Sequence, residues 1–87
     1  DFVILNLACT VGHDTTIGDY AAFMPTCNIS GEVIINECVY CGTGVKIINQ
    51  IEIGKNSIIG AGSVVVKDIP DSVVAYGNPC KVIRKNI

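Results

Sequence analysis

Every sixth residue from Leu5 to Val65 is apolar: Leu5, Val11, Ile17, Phe23, Ile29, Ile35, Cys41, Ile47, Ile53, Ile59 and Val65. In a chain that is 49% apolar, chance order gives such a run about once in 400 sequences, even with all six frames allowed. A second column lies four places further on: Cys9, Thr15, Ala21, Cys27, Val33, Val39, Val45, Ile51, Ser57, Ser63 and Ile69, all small or apolar. Glycine follows the first column at Gly12, Gly18, Gly42, Gly54 and Gly60. A period of six fits neither a 3.6-residue helix nor a two-residue strand alternation. It fits a chain wound into a triangular prism, with one short strand per flat face and a turn at each edge. Residues eighteen apart then lie directly above one another, so sites read as columns.

The 87 residues allow one domain. Its core is a thin column, and its stability comes from coil stacking on coil. Eleven hexads fill residues 5–70 without an insertion, and the frame fails at Asp71, just after Pro70. Proline cannot donate to a sheet ladder, so the regular stack ends there. Residues 71–76 are read as one more short strand, which gives a hexapeptide-repeat β-helix over 1–76. Gly77-Asn78-Pro79 is a turn. The basic-apolar tail completes a 77–87 segment that packs on a neighbour or starts a helix. The frame already holds at Val3, so the first coil is read as cut open, with an N-terminal part of a longer protein missing. Gly12, Gly18, Gly54, Asn56 and Gly60 are read as turn residues that accept positive φ.

The net charge is −2 with six basic residues. No basic stripe supports nucleic-acid or membrane-surface binding. No apolar run approaches the roughly 20 residues that span a bilayer, and no signal peptide is visible. Five cysteines are an odd number. Cys9 and Cys27 stack one coil apart as small core residues; a disulfide between them is conceivable, but the spacing explains itself without one. Cys38 and Cys41 have CxxC spacing but lack a second pair or a helix N-terminus, so they are read as plain thiols. Free thiols point to a reducing cytoplasm. Ile34, Tyr40, Ile48, Ile58, Val64 and Val66 fall outside both inward columns, and side-by-side association is the natural way to cover them.

The one histidine, His13, sits third in its hexad, outside both columns, with Asp14 next to it. Taken alone, this is an ordinary surface pair. A carboxylate beside an imidazole also holds one ring nitrogen as donor and leaves the other free as a base. Stepping by eighteen gives Gly31, Asn49 and Lys67. Three coil steps span roughly 14 Å, the reach of an extended pantetheine arm. The column therefore runs from a base, past a backbone amide, to a cation that suits phosphate, with Lys81 and Arg84 expected near that end. Lys67 reads equally well as a solvated turn lysine.

Three stretches, Asn6 to Asp19, Gly60-Ala61-Gly62-Ser63-Val64-Val65-Val66-Lys67-Asp68-Ile69-Pro70, and Gly77-Asn78-Pro79-Cys80-Lys81, make the chain resemble the hexapeptide-repeat acyltransferases. The likeness covers nearly all of it. It implies an all-β left-handed parallel β-helix that works as a homotrimer, with acetyl-CoA as acyl donor and no metal. The Gly12-His13-Asp14 segment looks like the sialic acid O-acetyltransferase and UDP-amino-sugar N-acetyltransferase branch. That branch implies a sugar or nucleotide-sugar acceptor and a preceding nucleotide-binding-like domain. The resemblance implies His13 as general base, Asp14 as its orienting acid and Asn6 near the acceptor. It implies Gly31, Asn49, Ala61, Lys67 and Lys81 along the cofactor. Cys80 departs from the alanine usual in the Gly-Asn-Pro-Ala-Lys tail. Three alternatives are a β-helix trimerisation scaffold without catalysis, another branch such as serine acetyltransferase, and a γ-type carbonic anhydrase. The last needs three histidine-type ligands, where this chain has one histidine.

Overall fold

The computed structural model describes residues 3–86; residues 1 and 2 of the first coil and residue 87 of the tail lie outside it. The described residues form thirteen strands, joined by turns, in three sheets. The first sheet, face A, stacks β1 (Ile4–Leu5), β4 (Ala22–Phe23), β7 (Tyr40–Cys41), β10 (Ile58–Ile59), β12 (Val73–Tyr76) and β13 (Lys81–Lys85). Face B stacks β2 (Thr10–Val11), β5 (Asn28–Ile29), β8 (Lys46–Ile47) and β11 (Val64–Val65); face C stacks β3 (Thr16–Ile17), β6 (Ile34–Ile35) and β9 (Glu52–Ile53). All pairings but the last are parallel and in register at eighteen residues through β11, as in Thr10↔Asn28 and Ile34↔Glu52. The architecture is a left-handed parallel β-helix. No helix among the described residues is long and apolar enough to cross a membrane.

Each two-residue strand turns its first residue outward and its second inward, because side chains alternate across a strand. The inward residues Phe23, Ile29, Ile35, Cys41, Ile47, Ile53, Ile59 and Val65 are buried, and so is the second column from Ala21 to Ile69. Among the described residues nothing stacks on the outer side of the first coil, and Leu5 is 48% and Val11 40% exposed. The polar members of the second column have a common task. Cys9 Sγ donates to Met24 O (3.2 Å), Thr15 Oγ1 to Ser30 O (3.0 Å), Cys27 Sγ to Gly42 O (3.1 Å) and Ser57 Oγ to Pro70 O (2.8 Å). Corner carbonyls are turned away from the strand ladders, and an inward thiol or hydroxyl satisfies them.

The turns correct one expectation. Positive φ falls not on the glycines after the first column but two residues later, at Ala8, Asp14, Tyr20, Thr26, Glu32, Cys38, Gly44, Gln50, Asn56 and Gly62. From Thr26 on, each of these donates its amide to the turn of the coil before it, as in Thr26 N→Leu7 O (2.9 Å), Glu32 N→His13 O (3.0 Å) and Gln50 N→Gly31 O (3.2 Å). Gly12, Gly18 and Gly42 are required instead for close approach: an added Cβ would stand 2.5–2.7 Å from the backbone nitrogen of Gly31, Glu37 or Ala61. Thr26 is the most strained of the positive-φ set, because it is β-branched at φ 61°. Asparagine tolerates this conformation better, so Thr26→Asn is expected to stabilise the fold by about 1 kcal/mol. The check is the urea midpoint at unchanged m-value.

The stack ends in two ways. On face C, Asp68 Oδ1 accepts from Glu52 N (2.9 Å) and Asp71 Oδ1 from Lys55 N (3.0 Å). The Asp68 carboxylate takes the place of the carbonyls that serve Thr16 N and Ile34 N in the earlier coils. On face A, the tail does not start a helix: β13 folds back antiparallel on β12, from Tyr76↔Lys81 to Val73↔Lys85, with a bulge at Val74/Ala75. The free edge of β12 needs a partner, and the Val82-Ile83 pair favours strand.

Candidate active site

His13 stands in the turn between β2 and β3, on the edge shared by faces B and C. Its side chain is 86% exposed, that of Asp14 79%, and His13 Nδ1 lies 3.2 Å from Asp14 Oδ2. Asp14 has φ 57°, so the chain reverses just after the histidine. Glu32 N bonds to His13 O from the next coil and holds the turn in place. The two glycines explain how the coils close at this point. Gly12 admits the backbone of Gly31 and Ser30, while a Cβ on Gly31 would lie 3.2 Å from His13 O, 3.5 Å from Cε1 and 3.6 Å from Nε2. The imidazole therefore leans over Gly31, with Nδ1 toward the carboxylate and Nε2 toward the next coil. With Nδ1–H given to Asp14, Nε2 carries the free lone pair.

Asn49 and Lys67 continue the column along the same edge, both exposed. Two flanking columns escaped the sequence reading. Ser30, Ile48 and Val66 run on the face B side, with Ile48 and Val66 exposed. Asp14, Glu32, Gln50 and Asp68 run on the face C side, where Gln50 Nε2 donates to Glu32 Oε1 at 3.3 Å. The same eighteen-residue step, taken one residue earlier and one later, would have found both.

The remaining candidates lie elsewhere. Asn6, Ala61 and Lys81 fall on the edge between faces A and B, one face away from His13. Asn6 Nδ2 is engaged by Phe23 O (3.1 Å). Lys81 and Arg84 do not gather at Lys67, contrary to expectation, because β13 runs back along face A. Arg84 Nη1 donates to Lys85 O (3.4 Å). A cavity of about 350 Å³ on face C is lined by Glu52, Gly54, Asp68, Ile69, Pro70 and Asp71 and contains none of the candidates. Among the described residues, no three His, Cys, Asp or Glu side chains are grouped to hold a metal ion. Burial pushes the thiols of Cys27, Cys41 and Cys80 up, so none of them is an activated thiolate that would carry the acyl group.

A three-faced β-helix built on an unbroken six-residue period defines the class of hexapeptide-repeat proteins. The chain belongs to the hexapeptide-repeat acetyltransferase family. No family model matches it, but individual relatives do. Galactoside O-acetyltransferase of Lactococcus lactis is 59% identical over 62% of this chain and 26% of its own length. Galactoside O-acetyltransferase of Escherichia coli is 39% identical over 92% of this chain and 48% of its own. Among solved structures, a histidine-to-asparagine mutant of perosamine N-acetyltransferase from Caulobacter crescentus, in complex with CoA and GDP-perosamine, superposes with TM-score 0.94. Its identity is 37%, over 95% of this chain and 40% of that one. The acetyltransferase domain of PglB from Neisseria gonorrhoeae, in complex with acetyl coenzyme A, gives TM-score 0.91 at 38% identity, over 93% and 40%. The chain thus spans less than half the length of each of these proteins.

Proposed function

We propose that the protein transfers an acetyl group from acetyl-CoA to a hydroxyl or amine of a sugar or nucleotide sugar, with His13 as general base. The observation that carries this reading is the His13–Asp14 pair at 3.2 Å, exposed, with the imidazole over Gly31. The named relatives act on galactosides or perosamine, and two solved structures hold CoA or acetyl-CoA. His13 Nε2 takes the proton of the acceptor as its oxygen or nitrogen attacks the thioester carbonyl. Asp14 keeps the ring in the required tautomer and stabilises the imidazolium. The Gly31 amide faces the developing oxyanion. As the C–S bond breaks, the imidazolium returns the proton to the leaving thiolate. Acetyl-CoA is already activated, so no covalent acyl-enzyme is required. Asn49 and Lys67 accompany the pantetheine and a phosphate. Measuring CoA release from acetyl-CoA against a panel of sugars and nucleotide sugars tests the activity; no sugar-dependent release with the full-length protein would refute it.

The same reading makes the working form a homotrimer in the cytoplasm. An 86%-exposed base cannot keep water from the thioester alone, so a second copy must supply the other wall. Asn6, Ala61 and Lys81, on the other edge of face B, are the groups such a copy would bring to its neighbour's site. Face A offers the apolar row Ile4, Ala22, Tyr40 and Ile58 to packing. Sedimentation showing a stable monomer at micromolar concentration would sink this arrangement.

Two substitutions separate the ends of the ligand. Lys67→Ala is expected to raise the KM for acetyl-CoA about fivefold at low ionic strength with kcat little changed, because an exposed cation–phosphate contact is uniform binding and is screened by salt. An unchanged KM at low salt would show that the cofactor does not end there. Gly31→Ala is expected to lower kcat about tenfold or more, with a smaller effect on KM. Its methyl would crowd the His13 carbonyl oxygen at 3.2 Å, the atom that holds the histidine turn to the next coil, and would touch the ring at 3.5 Å. Gly31 is not at positive φ, so the effect is one of crowding and not of backbone strain.

A further inference from the structure

We propose that Cys9 and Cys27 form a reversible disulfide that staples the first coil to the second under oxidising conditions. The two residues occupy the same inward column in adjacent coils. Thr10 N bonds to Cys27 O at 2.9 Å, and the strands that follow them pair in register at Thr10↔Asn28. Their Cα atoms are therefore about one strand spacing apart, roughly 4.8 Å, inside the roughly 4.4–6.8 Å range of disulfides. Their side chains point the same way: each thiol donates to the carbonyl fifteen residues ahead, Cys9 Sγ to Met24 O and Cys27 Sγ to Gly42 O. Parallel side chains leave the Cβ atoms about one strand spacing apart, which exceeds the roughly 3.8 Å of a relaxed disulfide. The first coil must therefore move inward by up to about 1 Å. It is the coil best able to do so, since its inward residues Leu5 and Val11 remain half exposed.

The two cysteines have different access. Cys9 is partly exposed at the open end of the stack, whereas Cys27 is fully buried. Burial holds the Cys27 thiol protonated, and the nearby Cys9 sulfur adds to that upward push. An oxidant of the disulfide class, such as glutathione disulfide, therefore meets Cys9 first. The Cys9 sulfur gives up its proton and attacks one sulfur of the oxidant, whose S–S bond breaks to release one glutathione thiol. Cys27 then loses its proton as its sulfur attacks Cys9 Sγ, and the second glutathione leaves. Two thiols are oxidised and one glutathione disulfide is reduced to two thiols. The closed loop runs from residue 9 to residue 27 and contains the His13 turn, so the bond restrains the coil that carries it. This inference stands independently of acetyl transfer.

The test uses Cys38→Ser protein, in which the exposed Cys38 cannot cross-link copies. The protein is incubated with glutathione disulfide and examined by thiol titration after denaturation and by peptide mapping. The expected result is loss of two of the four remaining thiols, a Cys9–Cys27 cross-linked peptide, and a melting temperature raised by several degrees that dithiothreitol reverses. Adding Cys27→Ser should leave glutathione attached at Cys9 with no internal bond. Retention of all four thiols, a bond between any other pair, or a stable glutathione adduct on Cys9 with Cys27 intact would each overturn the proposal.

Discussion

Replacing His13 by alanine is expected to cut turnover at least about 100-fold while leaving thermal stability nearly unchanged. A positioned base typically contributes about 10²–10⁴-fold. The stability half of the expectation comes from placement: the side chain is 86% exposed and belongs to neither inward column. What holds the coil at this point is His13 O, bonded to Glu32 N, and alanine keeps that carbonyl. Asp14→Asn makes a stricter companion. Asparagine tolerates φ 57°, so the backbone is undisturbed while the carboxylate is lost. Turnover should fall, but by less than when the imidazole itself is removed. Measuring kcat and the melting midpoint on the same preparations separates the cases. Turnover near wild type in His13→Ala would remove this residue as the base, whatever the fold.

The prism was legible because its cause is periodic. The inward columns repeat every six residues, so Phe23, Ile35 and Ile53 declare themselves as core without any long-range information. The stacking of Gly31 on His13 followed from the eighteen-residue step alone. What did not follow, Asn56 apart, was which corner residues take positive φ. The positive-φ residues are chemically unrelated, from Ala8 to Tyr20 to Gln50, because the ladder of turn hydrogen bonds fixes the conformation and the side chain only has to tolerate it. Composition therefore carries no signal for it. The ends of the stack were also opaque. Nothing in the six-residue pattern marks Asp68 and Asp71 as acceptors for the amides of Glu52 and Lys55. The tail read as packing on a neighbour or starting a helix, yet it pairs with β12. The place of Asn6 and Ala61 on another edge was legible in the same eighteen-residue step. That of Lys81 was not, because it lies past Pro70, where the register that assigns residues to edges no longer holds.

The glycines yield the largest structural effect, through a contrast within one protein. Gly42 lies in the middle of the stack with an ordinary φ, and a Cβ there would stand 2.7 Å from Ala61 N and 2.9 Å from Ala61 Cα. Backbone cannot rotate aside as a side chain can. The Gly42 amide is also tied to Ile59 O at 2.8 Å, and its carbonyl accepts the Cys27 thiol. Coils on both sides are closed, so the misfit has no free end to relax into. Gly42→Ala is therefore expected to destabilise by about 3 kcal/mol or more, at the upper end of overpacking, a large part of the roughly 4–13 kcal/mol that a chain of this size holds. Gly62 is the opposite case. It has φ +73° and nothing within 4 Å of an added Cβ. Gly62→Ala should lose only about 1–2 kcal/mol, the cost of a left-handed alanine. Urea midpoints of the two variants decide the matter. If Gly62→Ala proved as damaging as Gly42→Ala, positive φ would be the dominant demand on the glycines, and close packing of coil on coil would not be what fixes them in the sequence.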